Sequence, residues 1–178
     1  MRVHCDYDEV SAPRRFRQLC QTESYTGVKL SEEEVEKYIN GRYSFINVWR
    51  NIIDTPVQVK PLAVCDTNSV DAEDRLTYNM LYPERHGSNY ALPAGAAHKH
   101  KWYHYPFMEK DECLMFYVFN QELEGPRFTF HTAFEDPHTA PDAPSRESIE
   151  IRTIACFDDP PQKPIFFDMI HSLSLIHI

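Results

Sequence analysis

Arg127-Phe-Thr-Phe-His-Thr-Ala-Phe134 is the stretch on which the fold turns. As a strand it puts Arg127, Thr129, His131 and Ala133 on one face and Phe128, Phe130, Thr132 and Phe134 on the other. The phenylalanine face is expected in a core, joined there by Ile149, Ile151 and Phe157 on the odd face of the next strand. The pattern extends outward. Tyr43–Trp49, Val57–Cys65, Tyr78–Tyr82, Trp102–Tyr105, Leu114–Asn120 and Ser148–Phe157 are likewise rich in β-branched and aromatic residues, separated by Pro, Gly, Asn and Asp. A single strong helix signal interrupts them, Ser31-Glu-Glu-Glu-Val-Glu-Lys-Tyr-Ile-Asn-Gly41. Ser31 and Glu34 make a capping box, Gly41 a stop, and Val35, Tyr38 and Ile39 an apolar stripe. Many short strands and one helix indicate a mainly β barrel or sandwich.

The 178 residues suffice for one domain. A net charge of −9 argues against a nucleic-acid or anionic-membrane partner, which clustered cations bind. No apolar run approaches the roughly 18 residues that span a bilayer. Cys5, Cys20, Cys65, Cys113 and Cys156 are odd in number and widely spaced, which argues against a disulfide framework or a structural zinc site. With Met1-Arg-Val-His-Cys-Asp6 lacking a signal-peptide core, a cytoplasmic location is expected. Leu173–Ile178 at the end of the tail 158–178 reads as a translated sequencing adaptor or as a genuine last strand. Amplification of the genomic locus checks this: a product still encoding those residues rules the adaptor out.

Three constellations bear on chemistry. His4-x-Asp6 on a strand puts an imidazole and a carboxylate on one face. With a distant His it makes a two-His, one-carboxylate triad, which leaves positions open on Fe(II). Alone, the pair reads equally as a surface feature. His131 sits among apolar and small residues and needs a partner, as a ligand or as a satisfied core histidine. Arg146 and Ser148, fifteen residues after His131, share a face and suit a carboxylate. Arg152 lies on that same face, as a second carboxylate contact or the partner of an acid such as Glu150.

The order His-x-Asp, distant His, Arg-x-Ser resembles the Fe(II)/2-oxoglutarate-dependent oxygenases. A closer resemblance runs through Arg42-Tyr-Ser-Phe-Ile-Asn-Val-Trp-Arg50, Pro61–Asp66, Tyr82-Pro-Glu-Arg85, His100-Lys-Trp-Tyr103, Arg127–Pro137 and Pro144–Glu150. These blocks are similar to the hydroxylase/desaturase family of fungal secondary metabolism, with its AsaB-like, gibberellin-desaturase-like and CmcJ-like members. Tyr7 stands where the family usually has Gln, and Asn51 where it has Pro.

The resemblance implies a double-stranded β-helix (jelly roll) over residues 1–157 with at least one flanking helix, truncated at both ends. It implies an oxidoreductase that hydroxylates or desaturates a small-molecule substrate. His4, Asp6 and His131 would be the metal ligands for Fe(II), and Arg146 and Ser148 would hold the cosubstrate 2-oxoglutarate. Asn47, Trp49 and Arg50 are expected beside the substrate, or else in packing.

Two other readings compete. His98, His100 and His104 offer a His-x-His presentation of metal like that of a cupin, or a solvated strand end. A CmcJ-like barrel could also bind a ligand or partner without catalysis. Serine, cysteine and phosphate-loop chemistries have no motif here.

Overall fold

The computed structural model describes residues 2–23, 27–83, 86–122, 125–158 and 174–176. The tail residues 159–173 and 177–178 and part of the Tyr82–Arg85 block lie outside these.

Ten strands and two α-helices are found among the described residues. The strands are β1 (His4–Cys5), β2 (Arg42–Asn51), β3 (Leu62–Cys65), β4 (Leu76–Leu81), β5 (His86–Ala91), β6 (Trp102–His104), β7 (Leu114–Asn120), β8 (His131–Ala133), β9 (Ser148–Phe157) and β10 (Ser174–Ile176). The helices are α1 (Ser11–Cys20) and α2 (Glu32–Asn40). Seven strands form one sheet in the order β10-β6-β3-β8-β1-β5-β4, and β7-β2-β9 form a second. Every pairing is antiparallel. The two sheets close a jelly roll over one core that includes Phe16, Tyr43, Phe45, Phe119, Phe128 and Phe130.

In the smaller sheet, β2 is central and turns Tyr43, Phe45, Asn47, Trp49 and Asn51 inward. Its register against β7 slips between Phe45 and Ile46, which face Phe119 and Tyr117, so Val118 is an extra residue in a bulge. The Val118 carbonyl accepts the Cys5 thiol at 3.0 Å, tying the bulge to β1 of the other sheet. Helix α2 has the expected capping box: Ser31 Oγ accepts from the Glu34 N–H and Glu34 Oε2 from the Ser31 N–H. A Cβ on Gly41 would stand 2.7 Å from the Lys37 carbonyl oxygen, so the stop is dictated by a close approach.

The structure corrects several sequence expectations. Helix α1 was not anticipated. It buries Ala12, Phe16 and Cys20 at i, i+4 and i+8, and the Asp8 carboxylate accepts the N–H groups of Val10 and Ser11 at its start. Pro13 is tolerated because it lies in the first turn. Strand β5, His-Gly-Ser-Asn-Tyr-Ala, carries no β signature and forms through pairing with β4 and β1. Only His131–Ala133 of the 127–134 stretch is ladder strand. Thr129 donates to Tyr117 in one sheet while Phe130 accepts from Cys65 in the other, so the segment crosses between sheets. Phe128, Phe130 and Phe134 are buried as expected.

Ile149 and Ile151, in contrast, are 45% and 52% exposed, and Phe157 is half-buried. The even face of β9 points inward instead, because Glu150 and Arg152 lie opposite the buried Trp49 and Asn47. The difference has an energetic consequence. Phe130→Ala should cost about 3–5 kcal/mol in denaturant unfolding, and Ile151→Ala no more than about 0.5 kcal/mol. Comparable losses would contradict this strand phase.

Candidate active site

β1 and β8 are neighbours with His4 directly opposite His131. The two rings lie 4.6 Å apart, and Asp6 follows at the end of β1. One ligand atom from each of His4, Asp6 and His131 falls within 4.8 Å of the others, the one such metal-competent group among the described residues. His4 Nε2 is 3.6 Å from Asp6 Oδ1, and His131 Nε2 is 4.0 Å from Asp6 Oδ2.

Both imidazoles are held in the tautomer that a metal requires. His4 Nδ1 lies 3.1 Å from the Arg2 carbonyl oxygen, and His131 Nδ1 lies 3.0 Å from that of Thr129. A carbonyl can only accept, so each Nδ1 carries the proton, and in the neutral ring Nε2 keeps the lone pair. Burial pushes the His131 pKa down and keeps that ring neutral. Phe116, 4.9 Å from the His131 ring, closes one side.

The Asp6 side chain is 3% exposed, and both its oxygens are engaged from the opposite sheet. Asn47 Nδ2 donates to Oδ2 at 2.9 Å, and Arg152 Nη2 donates to Oδ1 at 3.0 Å. Burial opposes the Arg152 charge, but Asp6, Tyr7 and Glu150 outweigh it and raise its pKa. Because only an NH2 can donate to a carboxylate, the Asn47 amide is fixed in orientation. Its buried Oδ1 has no donor among the described residues. Cys5 takes no part: burial raises its thiol pKa, and its Sγ is already bonded to Val118.

The remaining sequence candidates separate. Ser148 lies opposite Asn51 on the inner face of the second sheet. Arg146 precedes β9, with its guanidinium 5.6 Å from the buried Trp49 ring and Nη1 donating to the Lys60 carbonyl. Burial lowers its pKa. Asn47 lies at the triad, bonded to it and not lining a substrate cavity. Trp49 packs in the core. Arg50 is corrected outright: strand alternation turns it to the outer face, where it donates to the Lys110 carbonyl. The three rival histidines do not converge. His98 is exposed in a 3-10 turn, His100 is buried and bonded to Asp74 at 3.1 Å, and His104 packs edge-on to Phe134.

A cavity of about 900 Å³ opens onto His4, Asp6 and Arg152. Helix α1 gives one wall and the β4–β5 hairpin the other, so two elements that sequence reasoning missed or undervalued shape the space beside the triad. Tyr78, Met80 and Leu19 make it partly apolar, and Arg14 adds a cation. The alanine, phenylalanine and cysteine spacing of α1 was the available signal.

A family model described as an oxidoreductase/YMDC permease-like domain matches residues 1–156. The chain belongs to that family. No helix among the described residues is long and apolar enough to cross a membrane. The chain is 31% identical over 141 residues to the hydroxylase/desaturase asaB of Aspergillus flavus, covering 72% of this chain and 61% of that protein. It is 26% identical to the Fe(II)/2-oxoglutarate-dependent dioxygenase nvfI of Aspergillus novofumigatus, covering 85% and 50%. The structure of the iron and alpha-ketoglutarate-dependent endoperoxidase NvfI superposes with a TM-score of 0.73 at 26% identity, over 87% of this chain and 53% of that one. The chain thus spans about half to three fifths of the length of these relatives. The relatives bear out the expected family, fungal Fe(II)/2-oxoglutarate hydroxylase/desaturases, and the jelly-roll fold.

Burial also lowers the pKa of His104. An imidazole whose folded pKa lies below the unfolded value of about 6.5 takes up its proton more readily in the unfolded chain, so acid favours unfolding. The thermal midpoint of the metal-free chain should fall as pH is lowered from about 7 to about 5.5, and fall less in His104→Phe. Equal slopes would contradict the buried neutral state.

Proposed function

We propose that this chain carries the iron and cosubstrate centre of an Fe(II)/2-oxoglutarate-dependent oxygenase that hydroxylates or desaturates a small metabolite. The observation that carries this reading is the convergence of His4, Asp6 and His131 with both Nε2 lone pairs free. Two imidazoles and one carboxylate are the donor set of a facial triad, which suits Fe(II) and leaves open positions. The orphaned Asn47 Oδ1 beside them suits a proton-bearing group at the site.

In this reading His4, Asp6 and His131 hold the metal. Arg146 and Ser148 bind the far carboxylate of 2-oxoglutarate. Both lie toward the Trp49 end of the inner face, two residues along β2 from Asn47. The stacked Trp49 ring fixes the plane of the Arg146 fork, and its partial burial strengthens the attraction for an anion. Phe116 and the apolar cavity wall exclude water from the triad, while Tyr78, Met80 and Leu19 receive the body of the substrate. Iron, when bound, would activate dioxygen, the oxidant for both the decarboxylation of 2-oxoglutarate and hydrogen removal from an unactivated C–H bond. The relatives, a dioxygenase and hydroxylase/desaturases by name, support an enzyme over a binding-only barrel. No observation favours the cupin-like reading, since His98 is exposed, His100 bonds to Asp74 and His104 packs on Phe134.

Equilibrium dialysis with Fe(II) or Mn(II) tests the ligand set. One metal ion should bind per chain, His131→Ala should abolish binding, and His98→Ala and His100→Ala should retain it. The reverse pattern would overturn the assignment. For the cosubstrate, Arg146→Ala should raise the 2-oxoglutarate requirement about ten- to a hundredfold, since a charge-assisted contact contributes about 1.5–3 kcal/mol. Metal affinity should not change. An unaltered requirement would remove Arg146 from the site.

A further inference from the structure

The Asp6 carboxylate is gripped at both oxygens, and the two grips come from directly opposed positions. Asn47 on β2 and Arg152 on β9 are register partners, the first buried and the second half exposed at the cavity. One reaches Oδ2 at 2.9 Å and the other Oδ1 at 3.0 Å. A single cross-strand pair of the smaller sheet therefore sets the rotation of a carboxylate that belongs to the larger sheet.

The two grips differ in strength. Asn47 donates as a neutral amide and occupies one lone pair of Oδ2. Both bonds end on an ionised carboxylate, but Arg152 adds an opposite charge, so its contact is the stronger of the two. Oδ1, 3.6 Å from His4 Nε2, thus carries the stronger contact, and Oδ2, 4.0 Å from His131 Nε2, the weaker one. A facial triad benefits from such an asymmetry, because it leaves the most positions open when its carboxylate ligates through one oxygen. A carboxylate that turned and ligated through both would fill a fourth position.

We propose that Arg152 is a positioning residue that keeps Asp6 a one-oxygen ligand. The proposal rests on the assignment of His4, Asp6 and His131 as the metal site. Arg152 borders the cavity beside the triad, but this role requires no contact with the reacting atoms. It acts through Asp6, and Glu150, 3.5 Å from its guanidinium, steadies it from the second residue before it on the same strand.

Co(II) is the probe, because its visible absorption reports the number and arrangement of its ligands. The full chain would be loaded with Co(II) as wild type, Arg152→Gln and Arg152→Lys, with far-UV circular dichroism confirming the fold. The Arg152 side chain is 52% exposed, so neither change should unfold the protein. Arg152→Gln should shift the Co(II) bands, as Oδ1 is released to the metal. Arg152→Lys, which keeps a cation at Oδ1, should retain the wild-type bands. Wild-type bands in Arg152→Gln would overturn the proposal, and so would an equal shift in both variants. His131→Ala separates this failure from that of the metal site itself. If it still takes up Co(II) with wild-type bands, the site assignment falls and the role of Arg152 falls with it. If it loses Co(II) while Arg152→Gln is unchanged, only the role of Arg152 is lost.

Discussion

A carboxylate buried between two sheets must find donors, since an unpaired buried charge costs several kcal/mol. Asp6 finds them across the barrel, in Asn47 and Arg152. This contact fixes how the two sheets sit against each other at the triad. It requires the inner face of β2 to carry Asn47 among aromatic neighbours, and it requires β9 to turn its even residues inward. The outward turn of Ile149 and Ile151 follows from the same requirement.

The rest of the site is arranged around that carboxylate. The register of β1 against β8 brings His4 opposite His131, so two imidazoles flank Asp6 from one sheet. Backbone carbonyls two residues before each histidine fix the tautomers. The bulge at Val118 gives Cys5 an acceptor and anchors β1 between its triad residues. Helix α1 begins five residues after Asp6, capped by Asp8, and its arginine-bearing face borders the cavity. Local backbone chemistry, sheet register and one half-buried ion pair together produce a metal-competent geometry.

Much of this was legible in the sequence because short-range spacing carries it. Strand alternation located Phe128 and Phe130 in the core, the capping box located α2, and β7 and β9 have the bounds that their composition suggested. His4, Asp6 and His131 emerged from their order along the chain, and the structure brings them together. What escaped depends on partners distant in sequence. β5 is a strand only because β4 and β1 pair with it. The phase of β9 could not be read from Ile149 and Ile151, whose apolar character argues for burial. It is set instead by Arg152 reaching Asp6, 146 residues away. Arg50 was misplaced because a block resemblance carries no facing information, whereas alternation with the buried Trp49 does.

The central claim is that His4, Asp6 and His131 form one metal centre served by Arg146. A crystal structure of the chain with Mn(II) and 2-oxoglutarate tests it most directly. The account predicts metal density bounded by His4 Nε2, Asp6 and His131 Nε2, with the far carboxylate of the diacid on the Arg146 fork. Metal at His98, His100 or His104, or a diacid held away from Arg146, would contradict it.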